Sequence, residues 1–205
     1  MCKNSCKVVF LDRDGTMNVE VNYLYRKEDL KLIDGTAEAV RLLNEAGYKV
    51  IVITNQAGVA RGYYTEADVK ILHDYMNEVL ERDGAHVDAF YYCPHHPEHG
   101  IGIYKKKCHC RKPETGMFEM AERDLPEGID KVHSYMIGDK RIDAQAGKNF
   151  GVTGVLVGTG YGAKEHAEDR AAGLIKEDGS CPAGGYDAYA DTLLDAVRGI
   201  LGGRI

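Results

Sequence analysis

No apolar run in the 205-residue chain approaches ~18 residues, so nothing in it is long enough to span a bilayer as a helix. Positive charge is not in excess either. The 26 lysines and arginines face 32 acids, for a net charge of -6, and binding nucleic acid or an anionic membrane surface needs a basic face. The stretch Met1 to Lys7 lacks the apolar core of a signal peptide and meets a hydrophobic run directly, which predicts a cytoplasmic protein. There is no internal repeat, no interdomain linker, and no insertion between the first motifs long enough for a separate cap domain. The remaining composition, 44% hydrophobic and 28% charged, is that of an ordinary soluble protein, and the length suits one domain over 1–205, with monomer as the default state.

Six cysteines could form three disulfides, but Cys108 and Cys110 are separated by one residue and a reducing compartment disfavours bridges. Cys93, Cys108 and Cys110 read better as metal ligands, and Cys2, Cys6 and Cys181 as free thiols.

Along the chain, strands alternate with helices. Val8 to Leu11, Val50 to Ile53, Val87 to Tyr92, Ser134 to Ile137 and Val152 to Val157 read as five buried strands. Between them, helical spacing follows Asp34-Gly35-Thr36 (Ala39, Leu42, Leu43, Ala46). It recurs after the capping-box-like Thr65-Glu66-Ala67-Asp68 (Val69, Leu72, Met76, Val79, Leu80) and after Thr115, with Met117, Met120 and Ala121 inward. Met17 to Leu30 has no period and reads as a flap or a long connection. Gly158 to Gly162 does not fit a dinucleotide fingerprint and reads as a plain loop. From about Ala163 the pattern blurs into a polar helix, a Gly/Cys/Pro-rich stretch and a closing helix around Leu193, Leu194, Val197 and Leu201. The alternation predicts an α/β fold with a doubly wound, mainly parallel sheet.

The chemistry concentrates at the strand ends. Asp12 and Asp14 follow the first strand, where α/β sheets place their ligand crevice, and two neighbouring anions ionise together most easily around a cation. A polar turn is the plainer alternative. A metal-dependent phosphoryl transfer would use Asp12 as nucleophile and Asp14 as general acid and then base. Thr54 and Asn55 would act as neutral donors, Lys112 with Arg111 as positive charge, and Asp139 as a further magnesium ligand.

These motifs resemble those of the haloacid dehalogenase superfamily of phosphatases: Asp12-Arg13-Asp14-Gly15-Thr16, Thr54-Asn55, Lys112, and Gly138-Asp139 followed by Asp143. With Thr54 to Gly62, Tyr91 to Pro97 and Cys108 to Pro113, they are more closely similar to the D-glycero-D-manno-heptose-1,7-bisphosphate 7-phosphatases, from about Val8 to Gly160. The resemblance implies magnesium held by Asp12, the Asp14 carbonyl and Asp139, and a Rossmann-like fold without a large cap. It also implies a small sugar bisphosphate as substrate, contacted by Thr54, Asn55, Gln56, Ala57, Arg111, Lys112 and Lys140. The segment Glu20, Val21, Asn22 and Tyr23 would close over the sugar. Asp143 either orients Lys112 or Lys140 or is an ordinary first-turn helix carboxylate. The C-terminal region from Ala163 departs from the family pattern. Histidinol-phosphate phosphatases, with a similar loop, are the nearest alternative, and a zinc-stabilised binding module without catalysis is a third.

Cys93, His95, Cys108 and Cys110 make a closed tetrahedral set for a structural zinc in a loop over 93–110, a reading the family resemblance strengthens because the spacing is tight. His96, His99 and His109 are rival ligands. Lys105, Lys106 and Lys107 form either a solvated tip or a local positive field for a doubly phosphorylated substrate. Arg61 could serve the same end or cap a carbonyl, and the tyrosine pairs at 63–64 and 91–92 read as packing.

Overall fold

The computed structural model describes residues 5–205, so the reading of Cys2 lies outside the described residues. The elements run β1 (Val8–Leu11), α1 (Thr36–Glu45), β2 (Lys49–Asn55), α2 (Ala57–Ala60), α3 (Glu66–Glu81), β3 (Ala89–Cys93), α4 (Gly116–Asp124), β4 (Tyr135–Gly138), α5 (Arg141–Phe150), β5 (Thr153–Val157), α6 (Gly162–Ala171), β6 (Ala188–Ala190) and α7 (Leu193–Leu201). The six strands form one sheet in the order β3-β2-β1-β4-β5-β6, every pairing parallel.

Strand alternation sorts the core into two layers. Val9, Leu11, Val50 and Val52 face α1, α3 and α7 through Val40, Leu43, Met76, Leu80, Val197 and Ile200. Val8, Phe10, Ile51 and Ile53 face α4 and α5 on the other side. There Phe10, Phe118 and Phe150 pack together, with ring centroids 4.8, 6.0 and 5.0 Å apart. Phe118 is fully buried, so Phe118→Ala should cost about 3–5 kcal/mol of stability in urea unfolding, the transfer and cavity loss of a buried aromatic.

Several local expectations shift. In α4 it is Phe118 that faces inward with Met117 and Ala121, while Met120 is exposed. β2 extends through Thr54 and Asn55, and β3 starts at Ala89 because Val87 gives its N–H to Asn77 Oδ1 (2.8 Å) instead of to the sheet. Ser134 lies before β4 and closes the sheet end by accepting from the Val8 N–H at 2.9 Å. The predicted capping box of α3 forms between Thr65 and Asp68. A sixth strand, Ala-Tyr-Ala, went unpredicted because alanine has little strand preference. In α7, Leu201 is exposed, and Ala196 and Ile200 complete the buried face.

β1 is central, with β2 on one side and β4 on the other, so the sheet reverses its winding at β1. Asp12 follows β1 and gives its N–H to Ile137 O at 2.9 Å. Thr54 and Asn55 end β2, and Asp139 follows β4. All of them therefore meet over one crevice at the carboxyl edge.

Candidate active site

Lys112 reaches into that edge from the far end of the cysteine loop. Its Nζ donates to Asp12 Oδ1 (2.8 Å) and Ile53 O (2.9 Å), and pairs with Asp143 Oδ1 at 2.7 Å. Three acceptors match the three N–H bonds of the ammonium, and all three side chains are buried. Burial alone would discharge Lys112, but Asp12 and Asp143 outweigh it and raise its pKa. Asn55 fixes the lysine's backbone, accepting from the Lys112 N–H (3.1 Å) and donating to its carbonyl (3.3 Å). Asp143 also accepts from the Lys140 N–H at 3.1 Å, capping the first turn of α5. Both sequence readings of Asp143 thus hold together: it orients Lys112 and it caps a helix.

Asp139 is fully buried beside them, with carboxylate oxygens of Asp12, Asp139 and Asp143 all within 4.8 Å of one another. Its Oδ2 accepts from the Tyr161 N–H at 3.0 Å, while its Oδ1 is buried with no partner. Burial, followed by the charges of Asp12 and Asp143, pushes Asp139 up to about 8. Lys112 offsets only part of the negative charge of three carboxylates. An orphaned buried oxygen in an all-oxygen set suits a hard divalent cation such as magnesium. Gly15 (φ +84°) and Gly160 (φ +54°) flank this acid, and a Cβ on either would overlap the Asp139 carboxylate. The Gly158 to Gly162 segment is therefore part of the site, which its sequence did not reveal.

Asp14 lies on a separate network. Arg13 donates to Asp14 through Nε (3.1 Å) and through Nη2 (2.9 and 2.8 Å). Asn18 Nδ2 (3.1 Å) and Gln56 Nε2 (3.0 Å) add further donors. Burial pushes the carboxyl up, but Arg13, Asn18 and Gln56 overcome it and hold Asp14 below the usual carboxylate range. Gln56 also donates to Thr54 Oγ1 (3.0 Å) and accepts from the Tyr64 hydroxyl (2.6 Å), so its side chain is spent inside the protein. Sequence reasoning gave no role to Arg13, Asn18 or His73 and read Tyr64 only as packing. The available signals were an arginine between two catalytic-type acids and a histidine four residues after Val69 on the apolar face of α3.

Glu20, with Gly15, Val19, Thr159, Gly160 and Tyr161, lines a cavity of about 390 Å³, and its carboxylate lies 3.8 Å from Lys140 Nζ. Val21 and Tyr23 are exposed, Asn22 (φ +51°) and Tyr23 (φ +67°) take left-handed backbone, and Tyr23 meets Tyr63 edge-on at 4.7 Å. Ala57 opens α2 directly after Gln56. A second cavity, about 570 Å³, is lined by Lys107, His109, Arg111, Lys112 and Ile142 among others. Arg111 gives a hydrogen bond to His95 O at 3.1 Å, and among the described residues no carboxylate lies within ion-pair distance of it.

Below this rim, Cys93, His95, Cys108 and Cys110 converge, with ligand atoms all within 4.8 Å. Cys110 Sγ lies 2.9 Å from Cys93 Sγ and 2.7 Å from Cys108 Sγ, and His95 Nδ1 lies 3.5 Å from Cys110 Sγ. The hydrogen bond from Cys110 lowers the Cys93 thiol to about 6. Three thiols and an imidazole match the soft donor set of a structural zinc. The rival imidazoles are occupied elsewhere. His96 Nδ1 accepts from the Glu98 and His99 N–H groups, and His109 pairs with Glu119 at 2.9 Å. His99 stacks loosely on His96 at 4.8 Å. Cys6 and Cys181 are free thiols, Cys181 fully buried against Tyr186, and Lys105 to Lys107 are exposed.

A family model described as HAD-hydrolase-like matches residues 109–178. The chain is 45% identical over 167 residues to the D-glycero-beta-D-manno-heptose-1,7-bisphosphate 7-phosphatase of Haemophilus ducreyi, covering 80% of this chain and 90% of that protein. It is 39% identical over 204 residues to the D-glycero-D-manno-heptose-1,7-bisphosphate 7-phosphatase of Chlorobaculum tepidum, covering 98% and 96%. That second match extends through the C-terminal region. The fold is similar to the crystal structure of D,D-heptose 1.7-bisphosphate phosphatase from B. bronchiseptica in complex with magnesium and phosphate. The TM-score is 0.77 at 30% identity, covering 96% and 99%.

Proposed function

The chain belongs to the heptose-1,7-bisphosphate 7-phosphatase family of HAD-like hydrolases, and from that premise we propose that it removes the 7-phosphate of D-glycero-D-manno-heptose 1,7-bisphosphate through a phosphoaspartate. The observation that carries this reading is the buried Lys112 bridging Asp12 and Asp143 beside the orphaned oxygen of Asp139.

In this reading an Asp12 carboxylate oxygen attacks phosphorus, the phosphorus–O7 bond breaks, and Asp14 delivers a proton to the departing O7. Asp14 takes up that proton as the substrate's negative charge arrives beside it, because a neighbouring anion raises a carboxyl pKa. A water then attacks the phosphoaspartate and gives its proton to Asp14, releasing phosphate and restoring Asp12. Asp12, the Asp14 carbonyl and Asp139 would hold magnesium. When bound, magnesium would neutralise the phosphoryl oxygens and supply Lewis acidity. Lys112 stays charged against Asp12 and Asp143 and offsets charge on the transferring group. Thr54 and Asn55 line the same edge. Arg111 and Lys140 would receive the sugar and its second phosphate, with Glu20 to Tyr23 covering it.

Cys93, His95, Cys108 and Cys110 would hold zinc, whose role is to fold the loop that carries Arg111 and Lys112. Among the described residues no helix is long and apolar enough to cross a membrane, and we place the enzyme in the cytoplasm as a monomer. The test is phosphate release with magnesium from the α- and β-anomers of the heptose bisphosphate, histidinol phosphate and fructose 1,6-bisphosphate. The heptose bisphosphate should give the highest kcat/KM. Preference for histidinol phosphate would reassign the substrate, and no turnover of any ester would leave a binding module.

A further inference from the structure

The side chain of Arg13 is wholly buried, which is costly for a charge unless it is paired and hydrogen-bonded. Its partners come from four separate places. Nε and Nη2 grip Asp14, Nη2 also reaches Leu24 O (3.2 Å) and Gln56 Oε1 (3.3 Å), and Nη1 lies 3.3 Å from His73 Nε2. A guanidinium has no acceptor, so His73 Nε2 must accept and the ring must be neutral. The surroundings agree: burial, followed by the charge of Arg13, lowers His73 to about 3. The ring stacks on Phe90 at 4.6 Å and meets Tyr92 edge-on, so it cannot turn away easily.

We propose that His73 is a positioning residue for proton transfer by Asp14: it accepts from Arg13 and so fixes the guanidinium fork on which the Asp14 carboxylate rests. His73 touches neither substrate nor the reacting atoms. Without it, Nη1 keeps no hydrogen-bond partner, the guanidinium turns to find one, and Asp14 loses the support that aims it. The inference rests on Asp14 being the acid of the proposed reaction. It predicts a defect confined to proton delivery.

Such a defect is read from the leaving group. A sugar alkoxide needs a proton as it departs, whereas 4-nitrophenolate departs well without one. In His73→Phe, kcat/KM for the sugar phosphate should fall about thirtyfold more than kcat/KM for 4-nitrophenyl phosphate, part of the factor general acid catalysis supplies. His73→Gln, which keeps an acceptor oxygen, should recover most of that difference. A ratio altered by less than about threefold overturns the proposal, whether both rates fall together or neither falls. A glutamine variant as impaired as the phenylalanine one also overturns it, since packing on Phe90 would then be the cause. If His73→Phe is insoluble, His73→Asn, too short to reach Arg13, is read in the same way. The ratio can be measured on any alkyl phosphate the enzyme turns over, so an error in the heptose assignment shows separately, as a wild-type preference for another ester.

Discussion

Asp12→Asn should abolish turnover, lowering kcat by roughly 10⁴- to 10⁶-fold, the scale on which losing a covalent nucleophile costs an enzyme. The argument is local. Asparagine has nearly the same shape, so the packing at the end of β1 survives. Its amide oxygen can still face Lys112, which keeps its Asp143 and Ile53 partners at 2.7 and 2.9 Å. What disappears is the negative oxygen that would bond to phosphorus. The variant should fold, show no mass increase from a trapped phosphoryl group, and hold as much zinc as the wild type, because Asp12 belongs to the carboxylate cluster and not to the cysteine cluster. Residual activity above about a thousandth would argue against covalent catalysis. A fall in zinc content would argue that the two clusters are one site.

What the sequence disclosed and what it hid follow from how each residue does its work. Asp12, Thr54, Asn55 and Asp139 were legible because each ends or follows a short apolar run, and parallel strands deliver their carboxyl ends to one edge. Asp139 stood out as a side chain, but its neighbour Tyr161 contributes a backbone N–H, and a backbone group leaves no trace in residue identity. The glycine loop was therefore passed over. Arg13 was hidden for another reason. Besides the adjacent Asp14, its burial is offset by Leu24, Gln56 and His73, scattered up to 60 residues away, and no local pattern links those three. Met120 and Phe118 exchanged places because each lies one residue, about 100° around the helix, from Ala121 or Met117 respectively, so apolar residues at 117, 118, 120 and 121 allow either stripe. β6 escaped because two of its three residues are alanine.

Removing the proposed zinc should also lower activity, less than removing the nucleophile and by a different route. Between His95 and Cys110 no residue is buried, and Ile101 and Ile103 are exposed. The loop therefore has no core of its own. Besides the cysteine cluster it is tied down by a few polar contacts, among them the Tyr104 hydroxyl on Glu66 (2.8 Å), the Ile101 N–H on Ala60 O (2.8 Å) and His109 on Glu119 (2.9 Å). Such ties contribute about 1 kcal/mol each, whereas structural zinc binding in small domains is worth about 10–16 kcal/mol. Chelation, or Cys110→Ser, should release one equivalent of zinc and open the loop to trypsin at Lys105 to Lys107. Arg111 and Lys112 sit immediately past the last ligand, so kcat/KM for the bisphosphate should fall about 10- to 100-fold or more, the range typical when metal-site support is lost. The loss should exceed that in Lys105→Ala, which touches the exposed tip alone. Zinc-free protein with unchanged protease resistance and unchanged kcat/KM would show that the loop holds itself, and that the four ligands do not place Lys112 against Asp12.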